Sequence, residues 1–548
     1  MPPRIVIVGA GVGGIAFAVG LRKKFPDFDN FVIYEKASDV GGTWRDNTYP
    51  GCSSDVSVHF YSLSTDLNPD WDFSHGSQGE IHQYLRRVVA EHGLSSHIRY
   101  NTQVTSATWN PAESKYVITT KTAPRFDTSK ERIRTPLVAD GEAEAVEEAE
   151  ILISAVGPLE VVKFPDVAGL DKFTGSIFHA GNWDHSVDLK GKKVAVIGNA
   201  TSAAQIVPTI SEDPSVDVTN FCRTPSWFVP SKLIPYTAAQ KWLFRYVPFY
   251  MRLHRFRLFL SCDLTYFFVF ANSKMRNKIQ KRLAEYIRKT APEEYHDKLI
   301  PDYTPGCKRL IMDRNRYLKC LHRPNVRLNW DGIEAVTEKG MLTKKDEKLS
   351  FDVMIFATGY VVDEYPLHIK GPRETVKEYY RRKGGPAAYM GSAVPGFPNF
   401  FVIGGPNTGT GHTSFIFTEE VQVQYILKLI TPVLSQDISS IEVSSEATDN
   451  YLRRIDNRMK DTVFLQCSSW YRTNGTGRIS MIFPGSAMMF WWWLRCVDWD
   501  HYQVSAKNPV AWKRNVAWQR QKKILRNVAV LCVAVIAVAR TGVFGKIF

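Results

Sequence analysis

Two glycine-rich turns, each set between an apolar strand and a helix, constrain this chain more than any other feature. Gly9-Ala10-Gly11-Val12-Gly13-Gly14 follows the apolar run Ile5–Val8, and Gly198-Asn199-Ala200-Thr201-Ser202-Ala203 follows Val194–Ile197. In such a turn the first glycine bends the chain, the second admits a pyrophosphate, and the third lets helix and strand approach. The positions that would read the ribose carry opposite charge. Glu35 ends the strand pattern Phe31–Tyr34, whereas Arg223, followed by Thr224, comes just after Asp217–Phe221. A carboxylate accepts hydrogen bonds from a free ribose, and a guanidinium matches a ribose 2′-phosphate. The first unit is expected to hold a flavin- or NAD-like nucleotide through Gly9, Gly11, Gly14 and Glu35. The second is expected to hold NADPH through Gly198, Thr201, Ser202, Gln205, Arg223 and Thr224. A chain with both sites is built to pass a hydride between two cofactors. Ala200 stands where a middle glycine is usual, which places a methyl group where phosphate approaches.

At 548 residues and 44% hydrophobic content the chain can form two or more domains. Its net charge of +14 attracts anionic partners, NADPH or an anionic membrane among them. The basic residues read as scattered rather than gathered in one stripe, so no nucleic-acid partner is expected. Cysteines 52, 222, 262, 307, 320, 467, 496 and 532 stand singly with no Cys-x-x-Cys, which signals neither a zinc ribbon nor a redox dithiol. No metal site is expected. The first strand pattern begins at Arg4, leaving no room for a secretory signal, and a reducing, cytoplasmic setting fits. Near the end, Val528–Ala539 is unbroken apolar sequence behind Lys513, Arg514, Arg520, Lys522, Lys523 and Arg526. Twelve helical residues reach about 18 Å against a hydrocarbon layer of about 30 Å. Residues 522–548 therefore read as an interfacial or tail-anchored helix, or as a terminal helix docked on the protein itself.

The fold class expected is α/β, with two Rossmann-like dinucleotide-binding domains and a helical insertion, the first domain being discontinuous. The first nucleotide domain takes residues 1–165 and 381–510, and the second takes 166–234 and 303–380. Residues 235–302 form the helical insertion and 511–548 a basic, hydrophobic tail. The charge-blocked stretch Lys121–Glu150 reads as a solvated hairpin or a mobile insertion. The insertion is rich in aromatics, from Trp242, Phe244 and Tyr246 to Phe267, Phe268 and Phe270, and core packing between helices is expected for most of them. Phe401–Gly409 reads as a strand and a glycine-rich turn able to present N–H groups to an electron-rich ring.

Two longer strings carry a family resemblance. Gly41-Gly42-Thr43-Trp44, continuing through Tyr49-Pro50-Gly51 to Asp55, resembles one fingerprint of the Baeyer–Villiger monooxygenases. Phe173-Thr174-Gly175-Ser176-Ile177-Phe178-His179-Ala180-Gly181-Asn182-Trp183-Asp184 resembles their second. Amine- and sulfur-oxidising relatives usually have Tyr or Phe where this chain has Trp183. The likeness spans about residues 4 to 500 and identifies the chain as a class B flavoprotein monooxygenase of Baeyer–Villiger type.

That resemblance implies FAD as the first cofactor, NADPH as reductant, dioxygen as co-substrate and a small-molecule ketone as substrate. It implies insertion of one oxygen beside the carbonyl, through a flavin peroxyanion, to give an ester or lactone. Asp55 and Arg309, the latter in Gly306-Cys307-Lys308-Arg309, match the family's catalytic pair, and Lys308 matches a residue gripping the 2′-phosphate. Thr43, Trp44, Asp55, Tyr61, Gln103 and Val104 fall where flavin contacts lie, and Ala357-Thr358-Gly359 matches a late strand-to-turn motif. A guanidinium keeps its charge at working pH, so Arg309 suits a developing oxyanion. Without the fingerprints, Asp55 would read as a helix cap and Arg309 as a surface base. His179 reads as a linker residue with no proton-transfer role, and Trp491, Trp492 and Trp493 as packing or membrane-facing. A bulky lipophilic biosynthetic substrate is expected. Two alternatives stand: N- or S-oxygenation on the same scaffold, and a membrane-associated electron-transfer flavoprotein lacking oxygenation.

Overall fold

Ile5–Val8, with all four side chains buried, is the middle strand of a five-stranded parallel sheet. Across the sheet the order is Phe400–Val402, Ile151–Ser154, Ile5–Val8, Phe31–Tyr34 and Ile98–Arg99. Uninterrupted apolar strands of this kind suit a parallel sheet covered on both faces. A strand from residue 400 thus completes a sheet begun at residue 5. The computed structural model describes residues 2–123, 145–271 and 273–521.

The second sheet repeats the plan around Lys193–Ile197. Its order is Val326–Asn329, Asp217–Phe221, Lys193–Ile197, Val353–Phe356 and Ser176–His179, again all parallel. The helices Val12–Lys24 and Thr201–Ile210 leave the two glycine-rich turns. Val12–Lys24 lies close against Phe415–Leu434, where a Cβ on Gly20 would stand 2.9 Å from Val423 Cγ1. A smaller sheet pairs Lys115–Thr122 antiparallel with Ala145–Ala149, in register Tyr116 with Ala149. These strands bound the charge-blocked stretch, whose residues 124–144 lie outside the described residues.

Helices occupy the insertion: Ala238–Tyr246, Tyr250–Thr265 and Ser273–Thr290, with a π-helical turn Tyr266–Ala271 between the last two. Core packing was the expectation for most of its aromatics, and the structure corrects it. Phe244, Phe259, Tyr266 and Phe270 are buried, while Trp242, Tyr246, Phe249, Phe256, Phe267 and Phe268 are exposed. The helices bury one face only. No helix among the described residues is long and apolar enough to cross a membrane. The tail reading rests on residues 522–548, outside the described residues.

Candidate active site

The two nucleotide turns are built alike from their backbones. Gly9 has φ +102°, and a Cβ there would stand 2.7 Å from the Ala155 carbonyl oxygen. Gly198 has φ +114°, with Ala357 oxygen at 2.5 Å from the same imagined atom. Both turns therefore ride over the end of a neighbouring strand, and Ala357 supplies that floor in the second. A Cβ on Gly14 would sit 2.0 Å from Gly9 oxygen, so glycine alone lets this helix start so close. Gly11 is different: its nearest neighbour would be Gly42 Cα at 3.8 Å. Gly42 packs against it, since a Cβ there would stand 3.1 Å from Gly11 Cα, and two side-chain-free backbones together form the cradle a pyrophosphate needs. The corresponding Ala200 is exposed.

Glu35 is buried at the end of Phe31–Tyr34. Its Oε2 accepts from Ala10 N at 2.8 Å, and its Oε1 accepts from Ala37 N and from Arg45 Nη1, each at 2.9 Å. The carboxylate is thereby fixed beside the turn with capacity left for ribose hydroxyls. Thr43 opens the helical turn Thr43–Asp46, and Trp44 Nε1 donates to Tyr61 Oη at 3.3 Å. Val104 is buried on Thr102–Asn110, next to Gln103.

In the second unit Lys308 Nζ donates to Thr224 Oγ1 at 3.2 Å, and Asn199 Nδ2 donates to the Thr224 carbonyl at 2.8 Å. Burial pulls the Lys308 pKa down, and the neighbouring Arg223 guanidinium adds to the effect. Two cations crowded in this way gain from a dianionic phosphate between them. Gln205 is placed otherwise. It accepts from Tyr49 Oη at 2.9 Å and donates to Ser53 oxygen at 3.1 Å. Its buried amide ties the second nucleotide unit to the first fingerprint. Thr201 and Ser202 begin the helix that follows the turn.

Asp55 is held by two arginines. Arg309 Nη2 donates to Oδ2 at 3.0 Å and Arg314 Nη2 to Oδ1 at 3.3 Å, with Arg314 also donating to the Ser54 carbonyl. Arg314 is 3% exposed and Arg309 is 41% exposed. Burial pulls the Arg309 guanidinium down, but Asp55 and Tyr471 outweigh it and hold its pKa above the ordinary value. The arrangement presents a fixed cation, braced from behind, to whatever occupies the site.

Several residues here escaped sequence reasoning. Arg314 lies five positions past Arg309 and carried no motif. Glu419 is buried with its Oε1 3.6 Å from a Cβ imagined on Gly404 and 3.3 Å from one on Gly13. Burial first, then Glu420, pushes its pKa up to about 8. Cys307, directly before Lys308 and Arg309, is bonded to Cys467 across 160 residues, a link that the isolated cysteine spacing did not signal. The Gly404–Gly409 turn also differs from expectation. The N–H groups of Gly404, Asn407 and Gly409 already donate to Gln422 Oε1, Ser480 oxygen and Met481 oxygen. His179 accepts from Gly181 N at 3.0 Å, and burial lowers its pKa to about 4.

Comparison with known proteins gives a consistent family. Residues 7–73 match a family model described as an NAD(P)-binding Rossmann-like domain. A Baeyer–Villiger monooxygenase of Streptomyces coelicolor is 34% identical over 520 residues, 92% of this chain and 93% of the relative. One from Pseudomonas aeruginosa is 32% identical over 528 residues, 95% of each. A crystal structure of cyclohexanone monooxygenase from Rhodococcus sp. Phi1 bound to NADP+ superposes with TM-score 0.78 at 25% identity, covering 92% of this chain and 99% of that one.

Proposed function

Since the chain belongs to the Baeyer–Villiger monooxygenases, we propose that Asp55, Arg309 and Arg314 supply its oxygen-transfer electrostatics and that its substrate is a bulky lipophilic ketone. The enzyme is a FAD- and NADPH-dependent monooxygenase that inserts one atom of dioxygen next to a carbonyl. Bound FAD, once reduced by NADPH, supplies the activation of dioxygen.

The residues divide the remaining work. Gly9, Gly11, Gly14 and Glu35 hold the flavin nucleotide, and the Gly11–Gly42 cradle fits a pyrophosphate. Thr43, Trp44, Tyr61 and Val104 wall the flavin side. Gly198, Thr201 and Ser202 present the second helix N-terminus to NADPH, whose 2′-phosphate Arg223, Thr224 and Lys308 grip. Arg309 faces the site and lowers the energy of negative charge developing on oxygen as the carbonyl is attacked. Asp55 orients Arg309, and buried Arg314 holds Asp55 in place. Gln205 acts as a strut joining the two nucleotide units.

The observation that carries the catalytic reading is the unequal exposure of the two arginines on one carboxylate: one is structural, the other is offered to the site. The lipophilic substrate is supported by the aromatic-rich helical insertion, where Trp242, Phe256 and Phe267 are exposed. A ketone panel turned over with NADPH and read by mass spectrometry tests this. A product heavier by one oxygen and split by mild base into acid and alcohol is expected. Oxygenation confined to amines and sulfides would reject it.

A further inference from the structure

The helical insertion turns apolar residues outward in a regular pattern. Leu253, Phe256, Leu260, Leu264 and Phe267 recur every three or four residues, the spacing of one helical face, and each is 43–53% exposed. The adjoining face is already docked. Phe259 packs on Phe60 with ring centroids 5.7 Å apart, Arg255 donates to the carbonyls of His59 and Ser62, and Asp263 is buried. Asp263 also accepts from the N–H groups of Ala487 and Met488, fixing the start of the helix Ala487–Leu494 against this segment. Met488, Trp491 and Trp492 on that helix are 42–47% exposed. Trp242 and Tyr246 on the preceding helix, and Phe249 just before this one, extend the exposed aromatic set. With aromatic side chains of about 200 Å² each, half-exposed rings in this number leave several hundred Å² of apolar surface in water, more than a soluble monomer usually tolerates.

The charge that reads as scattered along the sequence collects here. Residues 238–290 contain twelve Lys or Arg and two acidic residues. Lys241, Arg245 and Arg255 pair with Asp72, Asp70 and Glu420 from outside the segment and Arg276 is buried, so the positive excess is carried by the other eight. One of the two acids is the buried Asp263. Lys274, Lys278, Lys281 and Arg282 are exposed on Ser273–Thr290. A second copy would set like charge against like. Residues 522–548 hold five basic residues and no acidic one, so the chain's own end brings the same sign.

We propose that this face seats the enzyme on an anionic lipid bilayer. The Phe, Leu and Trp side chains enter the boundary between headgroups and acyl chains, and the flanking Lys and Arg residues meet anionic headgroups. The enzyme lies on the surface through folded helices and needs no spanning segment. A lipophilic substrate concentrates in the same phase.

Co-sedimentation of the full-length holoenzyme with vesicles of phosphatidylcholine alone, and of phosphatidylcholine mixed equally with phosphatidylglycerol, tests this. Binding to the mixed vesicles is expected, weakened by added salt. Phe256→Glu/Phe267→Glu, changed only at exposed positions, should reduce the bound fraction at least about tenfold while flavin absorbance is retained. Lys274→Glu/Lys278→Glu should do the same for the mixed vesicles. A full-length control, Val530→Asp/Ile536→Asp, alters the terminal apolar run and leaves this face intact. Binding unchanged in the face variants, binding abolished by the control substitutions alone, or a dimer dispersed by Phe256→Glu with no vesicle binding in the parent protein would each overturn the proposal.

Discussion

Arg309 donates to Asp55 across 3.0 Å while leaving 41% of its own side chain exposed, and the carboxylate's other oxygen is taken by Arg314, which is 3% exposed. One carboxylate thus divides two guanidinium groups into a buried brace and a presented charge. An ion pair that only stabilised the fold would gain little from leaving one partner open. A pair serving catalysis needs the open partner held at a fixed angle.

Arg309→Ala is expected to keep NADPH oxidation and to lower ester formation at least about a hundredfold, since the charge that meets the developing oxyanion is gone. Parallel measurement of NADPH consumption and of product by mass spectrometry separates the two. Ester formed at the parent rate would remove Arg309 from the reaction. Arg314→Met should act differently, costing about 3 kcal/mol of stability by leaving the Asp55 carboxylate, 7% exposed, without its inner partner. Denaturant titration reads that loss.

Arg223→Ala and Lys308→Ala should each raise KM for NADPH roughly ten- to a hundredfold, the worth of one charge-assisted phosphate contact. NADH lacks the 2′-phosphate, so its KM should move little. Steady-state kinetics with both nucleotides decides the point, and equal effects on the two would place these residues elsewhere on the cofactor.

The sequence showed what depends on local pattern. Gly9 to Gly14 and Gly198 to Ala203 sit where a strand, a turn and a helix follow one another, so the backbone requirement is written within a dozen residues. Glu35 and Arg223 stand one strand further on, just after Phe31–Tyr34 and Asp217–Phe221, strands that the local pattern also marks. Contacts made across the fold were not. Gln205 reaches Tyr49, Glu419 reaches Gly13, and Cys307 reaches Cys467, each pair separated by well over a hundred residues. The insertion shows a different difficulty. Apolar residues at positions 253, 256, 260, 264 and 267 mark one helical face whether that face meets a core or the outside, and periodicity alone does not distinguish the two.

His59 predicts acid sensitivity. It is 1% exposed, and neither ring nitrogen has a hydrogen-bond partner among the described residues. It packs on Tyr236, Phe244 and His254 with Arg255 nearby. Burial first, then His254 and Arg255, lowers its pKa from 6.5 to about 3. Above about pH 6.5 both folded and unfolded chains hold it neutral, so its contribution is fully present. As pH falls below that value the unfolded chain takes the proton and the folded one does not, so stability drops by about 1.4 kcal/mol per unit toward pH 3. His59→Leu should flatten that limb in urea titrations between pH 4 and 7. An unchanged slope would assign the acid sensitivity to other groups.

Glu419 gives the opposite sign. Its pKa rises from 4.5 to about 8. Below about pH 4.5 folded and unfolded chains both hold the proton and nothing is lost. Between there and pH 8 only the folded chain holds it, so stability falls as pH rises, again by about 1.4 kcal/mol per unit, and the loss is complete above about pH 8. Glu419→Gln keeps the shape and the neutral state, so the variant should gain stability over the parent at pH 8 and match it near pH 4.5. Melting curves across that range measure the difference. Because Glu419 approaches Gly13 and Gly404, the neutral amide should also leave flavin content intact, whereas Glu419→Asp, which shortens the reach, should keep the pH slope and disturb the packing. A variant pair that showed equal stability at every pH would mean that the carboxyl is ionised in the folded chain.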